Sequence, residues 1–277
     1  NQYGIELDEG SDFNVFSFNN LSNNRWGFYI DGGDNNNITF NKIITNSGSA
    51  RGVELLTRAD SNNISFNYIW IDSSEGDGIR ILDSLYNKLF LNLIDLVDGD
   101  AFDGINLQNA NFTHVYNNNI SNFQSNGIDS AVGSSHNIVS GNLLNSSFYG
   151  GGQAGPAITV SGINLTIELN NITMNDGDGI TLSGVNSSII QFNLILIYNG
   201  TASGASSFNG ILLTGVSNNN TFLNNTIVGN KSTDPIIELR DDTLDAYINY
   251  MIFNNTFGEI RWLDNGTGSY LRNLTTN

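Results

Sequence analysis

The chain predicts an all-β fold: a parallel β-helix, or β-solenoid, of about eleven turns with three strands in each turn. Three observations carry this expectation. A glycine followed by an apolar residue returns as Gly4-Ile5, Gly27-Phe28, Gly52-Val53, Gly78-Ile79, Gly104-Ile105, Gly127-Ile128, Gly179-Ile180 and Gly210-Ile211, with degenerate copies around Ile158, Ile236 and Ile260. The steps between copies run from 22 to 31 residues, a length at which each repeat must stack on its neighbours to bury its apolar face. A single asparagine recurs at a second fixed phase, and no apolar period of 3.6 appears anywhere.

Each repeat divides into three short apolar stretches. The first alternates from the glycine, as in Gly78-Ile79-Arg80-Ile81 and Gly104-Ile105-Asn106-Leu107, which is the signature of a strand with one face inward. The second follows a polar turn, as in Asn63-Ile64-Ser65-Phe66. One asparagine then leads into the third, as in Asn67-Tyr68-Ile69-Trp70-Ile71. That asparagine is read at 19, 41, 67, 92, 118, 142, 170, 193, 224 and 254, where it tolerates a left-handed corner and its amide can bond along the stack. The repeats run without a break, so residues 1–277 are expected to form a single domain, with 244–277 as atypical, aromatic-rich terminal turns.

The pattern Asn-x-Ile-x-x-Asn-x-Ile, seen from Asn62 to Ile69 and approximately from Asn137 to Leu144, resembles the right-handed parallel β-helix repeats of the pectate-lyase-like and NosD-like proteins. The resemblance covers nearly the whole chain and implies a right-handed winding. It says little of activity, because one scaffold serves enzymes, adhesins and fibrous surface proteins. The Gly-His-Gly, Asn-Thr-Asp and Arg-Ile-Lys motifs of the pectin-cleaving hydrolases are absent.

Composition narrows the partners. Ten Lys plus Arg stand against 27 Asp plus Glu, a formal charge of −17, which argues against nucleic acid and anionic lipid. No apolar run is long enough to cross a bilayer, and there is no cysteine. The chain opens on Asn1 with no signal peptide and no evident cap at either end, as expected of a processed or excerpted chain whose ends stack on other copies or are capped elsewhere. Of 47 asparagines, 16 begin Asn-X-Ser/Thr, about twice the number chance gives, which points to N-glycosylation and export. The candidate acceptors are Asn20, Asn37, Asn63, Asn111, Asn119, Asn145, Asn164, Asn171, Asn186, Asn199, Asn219, Asn230, Asn265 and Asn273. Asn224 and Asn254 occupy the corner position and are expected to be buried and unmodified.

Length variation collects just before each Gly-Ile, so these connections should project from one edge of the rod. Two adjacent ones are acidic: Asp72, Glu75 and Asp77, then Asp98, Asp100 and Asp103; Asp176 and Asp178 form a third. Stacking brings the first two groups within about 5 Å, where carboxylates repel unless a cation sits between them, so Ca²⁺ is the candidate ligand. The competing reading is ordinary Asp-Gly turn chemistry. Asp77 and Asp103 could also serve as a glycosidase-like carboxylate pair. The resemblance to the polysaccharide lyases of this fold implies a Lys or Arg base, for which Arg80 and Arg51 are the candidates beside the acidic connections. His114 and His136 are read as surface turn residues. Phe40, Phe66, Phe90 and Tyr116 are read as sharing one phase and packing as an inward or corner stack, not as a sugar-binding platform.

Two classes of function follow. The favoured one is an extracellular, glycosylated structural or adhesive solenoid, a filament or surface-layer subunit that self-associates end to end. The alternative is a calcium-dependent carbohydrate-active enzyme or carbohydrate-binding module.

Overall fold

The computed structural model describes residues 1–73, 75–97, 103–131, 133–146, 154–175, 177–198, 209–215, 217 and 219–229, together with strands at 237–241, 251–252 and 260–264. Every element in them is a strand. They form three parallel sheets of eleven, ten and nine strands, with each strand paired to those one turn before and after. The first sheet includes Trp26–Asp31, Arg51–Leu56, Asp77–Leu82 and Ile105–Gln108. The second includes Asn63–Ser65, Lys88–Phe90 and His114–Tyr116; the third includes Tyr68–Ile71 and Leu93–Leu96. The chain is therefore an all-β, right-handed parallel β-helix. Nine turns carry a strand in all three sheets, fewer than the eleven expected from counting Gly-Ile copies. The last copies contribute only to the first and second sheets among the described residues.

Register explains the core. Val53, Ile79, Ile105 and Ile128 lie opposite one another on successive turns and are fully buried, as are Ile64, Leu89 and Val115 of the second sheet and Ile69, Ile94 and Ile120 of the third. The repeated glycine is required by crowding. A Cβ on Gly78 would stand 2.4 Å from the Gly104 carbonyl oxygen and 2.5 Å from Ile94 Cγ2. The chain enters the first sheet so close to the third that no side chain fits.

Between the second and third sheets the asparagine ladder forms as the sequence suggests. Asn41 donates its backbone N–H (2.9 Å) and its Nδ2 (3.1 Å) to Asn67 Oδ1, and Asn67 repeats the pattern onto Asn92. The left-handed residue, however, is the one before the asparagine: Phe18, Phe40, Phe66, Leu91, Asn117 and Leu169 all have φ of 55° to 59°. The ladder therefore continues from Asn193 to Asn225, not to Asn224, which is itself an exposed left-handed corner. Asn254 lies outside the described residues. A second ladder, between the first and second sheets, escaped the sequence reading. There Asn36 donates its backbone N–H to Asn62 Oδ1 and Asn62 its own to Asn87 Oδ1, without the amide-to-amide bonds of the first ladder at either step, and Thr113, Leu165 and Ser188 interrupt the asparagine series.

Phe28, Phe123 and Phe222 are core, but of the four aromatic residues read as one stack none is: the corner arrangement holds for two and the inward one for none. Phe40 and Phe66 are exposed corner residues stacked on each other at 4.8 Å. Phe90 and Tyr116 lie one residue earlier in the repeat, on the outer face of the second sheet, opposite Ser65 and Ser140. The core positions beside them belong to aliphatic residues, because in a strand the inward place falls on the alternate residue.

Candidate active site on the outer face of the first sheet

The outer row of the first sheet runs Tyr29, Glu54, Arg80, Asn106, Asp129 and Thr159, each opposite the next on successive turns. An outer row should be solvated. Yet Glu54 is 3% exposed and Asn106 8%, so polar groups here sit in a buried environment. Arg80 Nη1 donates to Glu54 Oε1 at 3.3 Å and Arg80 Nη2 to Gln108 Oε1 at 2.9 Å. Arg51 bridges Glu54 at 3.2 Å and Asp77 at 3.3 Å.

Beside this row lies a second, made of Arg51, Asp77, Asp103 and Asn126. Asp77 Oδ1 accepts the backbone N–H of Asp103 at 3.2 Å. Asp103 Oδ1 accepts both the backbone N–H and Nδ2 of Asn126 at 2.9 Å, and its Oδ2 accepts Asn106 Nδ2 at 2.6 Å. Asp77 and Asp103 are thus brought together as expected, and both are buried: Asp103 lies in the connection before its strand, as the sequence suggests, whereas Asp77 already opens a strand paired with Arg51. Each aspartate caps the N–H of the following turn, and Asp178 does the same for Asn209.

Burial and the charge of Asp103 push the Asp77 carboxyl up, against the opposing pull of the Asp103 N–H and Arg51. The larger effect falls on Asp129, which the sequence reading missed. Burial first, then the charges of Asp103 and Asp77, raises its carboxyl to about 7. Arg80 Nε and Asn106 Oδ1 are buried and have no hydrogen-bond partner. A carboxyl raised to about 7 therefore shares a row with an arginine and an amide that each leave one buried polar atom unpartnered. Nothing in Gly127-Ile128-Asp129 marks it in sequence, since the segment reads as one more strand start.

Of the remaining acidic residues, Asp72 is half-buried and Glu75 is exposed, accepting Ser49 Oγ at 2.8 Å. Asp98, Asp100 and Asp176 lie outside the described residues. Among the described residues, no three His, Asp or Glu side chains are placed to hold one metal ion. His114 belongs to a strand, not a turn. Its Nε2 lies 3.1 Å from Ser140 Oγ, and burial, then Lys88, holds its pKa below the ordinary value. His136 is a left-handed corner residue stacked on Phe112 at 4.7 Å. Among the sequons, Asn20, Asn119, Asn145, Asn164, Asn171 and Asn219 are exposed, while Asn37, Asn63, Asn111 and Asn186 are half-buried. Asn199, Asn230, Asn265 and Asn273 lie outside the described residues.

Comparison with known proteins agrees with this architecture. A family model described as periplasmic copper-binding protein (NosD) matches residues 1–138. No curated protein matches. A DFA-IIIase from Arthrobacter chlorophenolicus A6 is similar at 16% identity over 76% of this chain and 51% of its own, with a TM-score of 0.57. The present chain thus spans about half the length of that enzyme. An alginate lyase from Paenibacillus sp. str. FPU-7 is 13% identical over 95% of this chain and 91% of its own, with a TM-score of 0.53. A periplasmic alginate epimerase, AlgG, is 14% identical over 99% and 78%, with a TM-score of 0.52. At these identities the likeness is one of fold, and it bears out the resemblance to the right-handed parallel β-helix proteins.

Proposed function

We propose that the protein is a carbohydrate-active β-helix protein that performs acid–base chemistry on a polysaccharide at the outer face of its first sheet. The observation that carries this reading is Asp129, a half-buried carboxyl raised to about 7 in a row of polar groups that includes the buried Glu54 and Asn106. A group that titrates near neutrality can take or return a proton at working pH. In this role Asp129 exchanges the proton, the half-buried Arg80 faces the acidic groups of a sugar, and burial together with the charges of Asp103 and Asp77 keeps Asp129 protonatable.

The similar solved structures include a lyase and an epimerase of alginate and a tailspike in complex with a pentasaccharide, which supports the carbohydrate reading. None of them supports the filament subunit favoured from the sequence. An exported location, in the periplasm or at the cell surface, accords with the description of the matching family and with the sequon excess.

The metals implied by the sequence or by the family do not fit the residues described. Asp77 and Asp103 already accept N–H donors, which leaves little of a calcium cage. Copper finds no cysteine, two histidines already engaged by neighbouring side chains, and Met174 sealed in the core.

The test is to incubate the protein with a panel of acidic and neutral polysaccharides and follow unsaturated products, reducing ends and epimer ratio. Turnover that disappears in Asp129→Asn, with the fold intact by circular dichroism, is expected. Full activity in that variant, or no activity on any glycan, rejects the proposal.

A further inference from the structure

The outer face of the second sheet carries a separate groove of about 640 Å³. Tyr86 and Phe112, stacked at 5.0 Å, line one side of it. Phe90 and Tyr116, stacked at 4.7 Å, line it together with His114 and Lys88. Both Tyr86 and Phe112 hold left-handed backbone, with φ of 58° and 55°, and both are exposed. That conformation suits asparagine better than a bulky ring, and asparagine does fill the same corner at Asn35 and Asn164. Tyr86 and Phe112, like Phe13 and His136 at the same corner of other turns, thus hold a ring at a surface position where the fold needs none.

The groove is elongated. Its corner residues Asn35, Ser61, Tyr86 and Phe112 come from four successive turns, which spread over about 14 Å along the axis. A chain of sugar rings laid along the axis would meet about one ring per turn, because a ring is close in length to the ~4.8 Å step between strands. Aromatic walls suit the apolar faces of sugars, while the amides and hydroxyls of Asn35, Asn63 and Ser61 suit their hydroxyl groups. The charge selects further. Lys88 is a cation, none of the lining residues is acidic, and the chain as a whole carries −17. A lone positive group in an acid-free groove favours a ligand that brings negative charge.

We infer that this groove is a second glycan-binding site, one that holds a stretch of acidic polysaccharide along the solenoid axis, apart from the row that contains Asp129. The class of ligand rests on the carbohydrate function proposed above; the site itself does not include any residue of that row. Held there, a polymer stays tethered while its neighbouring segments reach the first sheet.

Calorimetric titration of the whole chain tests this, using hexameric oligomannuronate and oligogalacturonate as acidic probes and maltohexaose as the neutral one. Wild type should bind an acidic hexamer about tenfold more tightly than the neutral one, and the preference should fall with salt. The Tyr86→Asn, Phe112→Asn double variant should lose about tenfold in affinity, and Lys88→Gln should lose most of the acidic preference. If the double variant does not fold, Phe112→Leu takes its place, because Leu91 and Leu169 hold left-handed corners in this solenoid.

Equal binding by wild type and a folded groove variant overturns the inference. So does binding that ignores the charge of the probe, and so does the absence of binding to every hexamer. Failure of the first-sheet reading shows separately, as turnover that survives Asp129→Asn.

Discussion

Asp77 and Asp103 stand on the same corner one turn apart, and Asp77 Oδ1 accepts the backbone N–H of Asp103 at 3.2 Å. The contact makes each aspartate part of the fold and also places two buried negative charges beside Asp129, whose carboxyl rises to about 7 as a result of burial and these charges. One hydrogen-bonded column thereby ties the fold to the electrostatics around Asp129.

The pH dependence of stability follows with a definite sign. The Asp129 carboxyl is raised from 3.8 to about 7 in the folded chain, so the folded state holds its proton more tightly than the unfolded one. Its contribution is fully present below about 3.8 and is lost as pH rises through about 7; the raised Asp77 carboxyl acts in the same direction. Thermal unfolding followed between pH 5 and pH 8 should show falling stability, and Asp129→Asn should flatten that slope. An unchanged slope would remove the electrostatic account of this site.

Activity should share the titration. If Asp129 acts as the base, turnover rises with pH through a midpoint near 7; if it acts as the acid, turnover falls through the same midpoint. Asp103→Asn removes one of the two raising charges and should shift that midpoint downward, a change in pH profile that simple loss of packing does not produce.

Gly78→Ala should destabilise the solenoid by about 1–3 kcal/mol, since its Cβ would meet a backbone oxygen at 2.4 Å that cannot swing aside. Chemical denaturation measures this directly. Gly48→Ala, where nothing lies within 4 Å, is the control expected to stay near wild type.

Asn67→Ala strips the ladder of an acceptor for both Asn41 N–H groups and of the donor that satisfies the Ile38 carbonyl. Buried polar groups left unmatched cost about 1–3 kcal/mol each, so a loss of about 3 kcal/mol is expected. Hydrogen exchange should show the Asn41 amide losing its protection first.

Glycan occupancy should follow exposure. When the chain is exported through an N-glycosylating pathway, intact mass and peptide mapping should find glycan at Asn20, Asn119, Asn145 and Asn171. Asn63 should stay bare, because its Nδ2 already donates to Asn37 Oδ1 at 2.8 Å and its side chain lines the groove.

The amino-acid sequence by itself determined the solenoid: the Gly-Ile spacing, the inward isoleucines and one asparagine ladder. These are local signals, repeated often enough to override individual exceptions. It could not set the phase of Phe40 against Phe90, or of Asn224 against Asn225, because a one-residue slip at a corner exchanges exposed and buried positions. Only the tertiary structure decided which outward residues meet. Glu54, Arg80, Asn106 and Asp129 lie 23 to 26 residues apart and become neighbours only once strand register is fixed. The property that gives the row its chemistry, a carboxyl kept near neutrality, comes from burial and from charges on other turns. No spacing in the chain records either of them.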